Sequence, residues 1–102
     1  MLMIRDIVES IRDEVKDVRK YAEAALRVKM EDPALAKVYM ELGQEEVKHA
    51  DKLHKAAVDL IARATAGGRE APKEMRAIWD YEHKVMIEDM ADARRMLDMV
   101  MQ

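Results

Sequence analysis

The chain has 102 residues, half of them apolar and 38% charged, with a net charge of −3, three Gly, two Pro and no Cys. A single domain of this length buries about 60–70% of the surface its unfolded chain exposes, so its core is thin and self-association would relieve it. Disulfides and thiolate chemistry are excluded, the basic residues are dispersed among acids and so suggest no nucleic-acid partner, and no apolar run approaches the roughly 20 residues of a membrane span. The opening Met1-Leu2-Met3-Ile4-Arg5-Asp6 lacks a signal-peptide layout, which makes the cytoplasm the expected compartment. A composition rich in Ala, Glu, Lys, Leu, Arg and Met points to long helices.

Helix 1 is expected over about residues 3–30. Its apolar seam runs Ile4, Ile7, Ile11, Val18, Tyr21, Ala25 and Val28, widened by Val8, Val15, Ala22 and Leu26. Glu14 is the one misfit on that seam. Glu31-Asp32-Pro33 then breaks the helix. Asp32 suits an N-cap and Pro33 the first helical position, where its missing N–H has no partner anyway. So short a turn makes an antiparallel helical hairpin. Helix 2 is expected over about 33–66, ended by Gly67-Gly68. Helix 3 is expected over about 72–101, opened by Pro72, with Glu82 and Asp89 on one edge of its apolar stripe. No strand pattern appears, so the fold class is all-α, one helical domain over 1–102.

Helix 2 carries the chemistry. At heptad spacing Tyr39, Leu42, Glu46, His49, Leu53, Ala56 and Leu60 share a stripe, and only Glu46 and His49 do not suit a core. Three residues apart, they point the same way. A buried carboxylate costs several kcal/mol, on the order of a lost hydrogen bond or more, unless it is paired or binds a metal. Glu14 lies 17 residues before Glu31, about 26 Å along the axis at ~1.5 Å per residue. His49 and Glu46 lie 16 and 13 residues after Pro33, about 24 and 20 Å. In an antiparallel hairpin the three side chains therefore come level. A bundle di-metal site takes a Glu from each of two helices and a Glu-x-x-His from each of two others. One hairpin supplies half of that set, and two chains supply all of it. Such oxygen and imidazole ligands suit iron, manganese or zinc.

Residues 14–57 resemble the first helical pair of the rubrerythrin and ferritin-like di-iron carboxylate family. The resemblance lies in Glu14 followed by Tyr21, the Glu-Asp-Pro-Ala-Leu-Ala turn at 31–36, and Glu45-Glu46-Val47-Lys48-His49-Ala50. It implies a ferritin-like antiparallel bundle, three helices per chain, with a four-helix core completed by a second chain, as in the small encapsulated ferritins. It also implies a di-iron centre in which Glu46 bridges, His49 is a terminal imidazole and Glu14 is the helix-1 ligand, with Tyr21 hydrogen-bonding a ligand. Asp13 remains a rival to Glu14. The family's third helix carries a ligand Glu, and Trp79-Asp80-Tyr81-Glu82-His83 is similar to it, so Glu82 joins the candidate ligands. By helical rise, Asp89 rather than Glu82 would be level with the site in a simple three-helix monomer. The chain departs from the family in having no second Glu-x-x-His, no long crossover and no Cys-rich rubredoxin module.

Two function classes follow. One is a di-iron oxidoreductase of even-numbered homo-oligomers, reacting with dioxygen or hydrogen peroxide to oxidise and handle iron or to remove peroxide. The other is a metal-free helical oligomer acting as a scaffold or interaction module. His54 and His83 read as surface or rim histidines. The ten Met, six of them in helix 3, read as adaptable core or interface filler rather than as ligands.

Overall fold

Seven apolar residues of the first helix, alternately four and three apart, form the spine of the molecule. In the computed structural model, which describes residues 2–66 and 73–102, helix α1 spans Leu2–Val28. Ile4, Val8, Ile11, Val15, Val18, Ala22 and Ala25 are all buried along it. A spacing that averages 3.5 residues keeps these side chains on one face over the whole length.

The hairpin turn is built as its residues dictate. The Val28 carbonyl accepts from the N–H groups of Glu31 and Asp32 at 3.1 and 2.7 Å. The Asp32 carboxylate accepts from the Leu35 N–H at 3.0 Å and so caps α2, Pro33–Ala64. α1 ends two residues before Met30 because Lys29 to Glu31 are spent on this turn. α2 stops at Ala64, where the Thr65 hydroxyl donates back to the Ala62 carbonyl at 2.9 Å. The expected stop at Gly67-Gly68 and start at Pro72 lie outside the described residues. α3 spans Lys73–Val100. Among the described residues every regular element is an α-helix, and no helix is long and apolar enough to cross a membrane.

Four apolar clusters stack along the length. Ile4 and Val8 meet Ala57, Leu60 and Met75. Ile11 and Val15 meet Ala50 and Met86. Val18 and Ala22 meet Ala93 and Leu97, and Ala25 meets Ala36 and Val100. As the numbers climb along α1, its partners fall along α2 and climb along α3. The body measures 57 × 20 × 18 Å, so the core is only one side chain deep. Its largest fully buried side chains are Ile4 and Val18.

The buried stripe of α2 differs from the heptad read in the sequence. Ala36, Gly43, Ala50 and Ala57, seven residues apart, are the buried positions, together with Leu60. Tyr39, Leu42, Glu46 and Leu53 are half-buried, and His49 and Ala56 are exposed. The stripe has moved one residue, about 100° around the axis. Small residues explain the shift, because they let α1 approach α2 closely and leave space for α3 side chains such as Leu97. A Cβ added at Gly43 would stand 2.7 Å from Leu97 Cδ2. The larger side chains are left on a flank between α1 and α2, where Ile7, Glu14, Tyr21 and Val28, also seven apart, are half-buried.

Candidate metal centre

Glu14 lies on that flank of α1, and Glu46 and His49 lie on the matching flank of α2. His49 Nδ1 is 3.6 Å from Glu14 Oε2 and 3.5 Å from Glu46 Oε2. One ligand atom from each of the three residues lies within 4.8 Å of the others. Both nitrogen–oxygen spacings exceed a normal hydrogen bond. The two carboxylates are sheltered, with side chains 24% and 18% exposed, while the imidazole is 57% exposed. Glu14 Oε2 is shut off from solvent and has no hydrogen-bond partner. Leaving a buried acceptor unpaired costs about 1–3 kcal/mol, and more when it is charged.

These groups fit a cation. Oxygen and imidazole ligands about 2.1 Å from a shared ion stand roughly 3.0–3.6 Å apart at angles between 90° and about 120°. The two spacings to His49 Nδ1 fall in that range. An ion would also give Glu14 Oε2 the partner it lacks, and two carboxylates with one imidazole are a donor set for iron, manganese or zinc.

The other sequence candidates lie elsewhere. Asp13 is exposed and takes no part in the cluster. Glu82 pairs with Arg12 at 2.6 Å, and its hydrogen bond and charge raise the Arg12 pKa further above its ordinary value. Arg12 and Glu14 are two residues apart, about 200° around α1, so α3 docks on the side of α1 away from the cluster. Glu82 is therefore not brought to Glu14, Glu46 and His49 within the chain. Asp89 is exposed, lines the same cleft as Arg12 and Glu82, and is also outside the cluster. Met86, one turn before Asp89, is the α3 residue packed beside Val15 and Ala50. Tyr21 stacks on Tyr39, with ring centroids 6.4 Å apart.

A second constellation was not anticipated from the sequence. His54 Nε2 on α2 and His83 Nε2 on α3 are 3.0 Å apart. Trp79 stacks on His83 at 4.8 Å and tilts over His54 at 5.4 Å. Burial, then the neighbouring His83, push the His54 pKa below its ordinary value, against a smaller upward pull from Asp51. Trp79 and His83 are four apart, so a shared face was readable. Their meeting with His54 depends on how α3 docks.

Comparison with known protein families, curated proteins and solved structures found no match to this chain.

Proposed function

We propose that the chain is half of a carboxylate-bridged di-metal protein, a ferritin-like antiparallel bundle whose four-helix core is completed by a second copy. The observation that carries this reading is Glu14 Oε2, buried and unpartnered beside Glu46 and His49. A folded protein bears such a cost where a ligand offsets it. The flank holding the cluster is apolar and half-buried, bounded by Ile7, Leu42 and Leu53, as suits a surface covered by its own copy. Two such flanks face to face bring four Glu and two His together, the full set of a bundle di-metal site.

Iron is the metal this donor set favours for redox work, and when bound it supplies electron transfer to dioxygen or hydrogen peroxide. The protein's part is to hold it. Glu14 and Glu46 supply negative charge, His49 presents Nδ1, and the paired flanks exclude bulk water from the carboxylates. The activity would be ferroxidase or peroxide reduction, serving iron handling or oxidative-stress defence.

The competing reading is a metal-free helical oligomer serving as a scaffold. It is favoured by the nearness of His49 Nδ1 to both carboxylates, which lets the three groups partly satisfy one another. Metal content per chain of anaerobically purified protein, with the solution mass, separates the two. About one iron per chain in an even-numbered oligomer, lost in His49→Ala, is the expected result. Folded protein that refuses ferrous iron would leave the scaffold reading.

A further inference from the structure

We propose that His54 and His83 form a second metal site, independent of the carboxylate cluster, which binds one borderline divalent cation such as Ni2+, Cu2+ or Zn2+ and ties α2 to α3. The two Nε2 atoms face each other at 3.0 Å. Imidazole nitrogens about 2.0–2.1 Å from a shared ion subtend roughly 90–95° at that spacing, and opening it by about 0.3–0.4 Å reaches the tetrahedral angle. One chelate spanning two helices therefore needs only a small adjustment of side chains.

The surroundings prepare the pair for this role. Trp79 packs against both rings, at 4.8 Å from His83 with planes 20° apart and at 5.4 Å from His54, so neither imidazole has to be ordered from free rotation. A cavity of about 500 Å³ is lined by both histidines and by Asp51, which leaves room for the waters that complete a coordination sphere. Among the described residues no carboxylate joins the pair in a three-ligand cluster. The donors are thus nitrogen and solvent, which suits nickel, copper or zinc and disfavours magnesium or calcium. His54 lies five residues from His49, about 7.5 Å along α2 and ~140° around it. Neither site can borrow the other's ligands.

The alternative is a plain hydrogen bond between two neutral imidazoles, and the only Trp of the chain reports which is right. Ni2+ or Cu2+ bound to His54 and His83 sits beside Trp79 and quenches its fluorescence. Chelator-treated full-length protein titrated with Ni2+ should show saturable quenching at one equivalent per chain. His54→Ala and His83→Ala should each weaken it at least tenfold, whereas Glu46→Ala should leave it unchanged. Zn2+, which does not quench, should displace Ni2+, and in the Glu46→Ala background it should raise the melting temperature only when both histidines are present. His83→Gln, which keeps side-chain bulk and a hydrogen bond, serves if an Ala variant loses helicity by circular dichroism. Quenching that never saturates, that survives His83→Gln, or that is lost in Glu46→Ala would each overturn the proposal.

Discussion

The two polar clusters of α2 lie on opposite flanks of one small-residue stripe, and they are built on opposite principles. Glu14, Glu46 and His49 come together within the α1–α2 hairpin, on the side that α3 leaves open, and the imidazole is largely exposed. His54 and His83 meet only across α2 and α3, under an indole, with the cavity beside them. The first cluster is rich in charge and short of partners. The second is a pair of imidazoles whose Nε2 atoms lie 3.0 Å apart. The carboxylate cluster thus draws all its groups from one hairpin, whereas the imidazole pair is held between two helices. Ala36, Gly43, Ala50 and Ala57 make both possible, because the close approach they allow on α2 leaves the larger side chains to either flank.

The largest effect that separates the clusters is expected from Glu46→Ala. If Glu46 holds iron as proposed, its loss should weaken iron binding by more than the roughly 10–100-fold that an outer-shell change costs. Nickel quenching at Trp79 should be untouched, and parallel titrations with the two metals test this. Equal loss at both sites would mean the clusters are not separate.

Overfilling the shared stripe should damage both flanks together. Ala57 is fully buried between α1 and α3, so Ala57→Leu should cost about 1–3 kcal/mol. In a domain of this size each kcal/mol lowers the melting temperature by roughly 4–8 °C. A thermal melt that does not move would show that α3 lies farther from α2 than described.

A smaller change of opposite sign is expected at Glu14. In chelator-treated protein Glu14→Leu removes an unpartnered carboxylate and should stabilise the chain by about 1 kcal/mol, while iron uptake falls. Denaturant unfolding with and without ferrous iron measures both. Destabilisation in the metal-free state would mean that the Glu14 carboxylate has a favourable partner, as the scaffold reading requires.

The smallest effect belongs to Arg12 and Glu82. Arg12 is 47% exposed, so solvent screening limits this pair to at most about 1 kcal/mol. Glu82→Gln should shift stability by a few tenths of that, within the same bound, and leave iron content unchanged. Iron lost in Glu82→Gln would mean that α3 delivers Glu82 to the site of a second chain.

Much of this molecule is decided by local chemistry. Asp32-Pro33 breaks and caps the first hairpin because one side chain replaces a missing hydrogen bond and the other cannot continue a helix. The period of apolar residues makes α1 a spine, and equal rise on both sides of a short turn brings Glu14 level with Glu46 and His49. These are short-range consequences of spacing, and spacing is written in the chain. The rotation of α2 about its axis is not, because a stripe of Leu and Tyr competes there with a stripe of Ala and Gly, and only packing against both neighbours selects the second. The azimuth of α3 is likewise a tertiary outcome. It sends Glu82 to Arg12 rather than to the carboxylate cluster and sets His83 on His54. Helical rise measures height along a bundle but carries no information about which side of a helix a neighbour will choose.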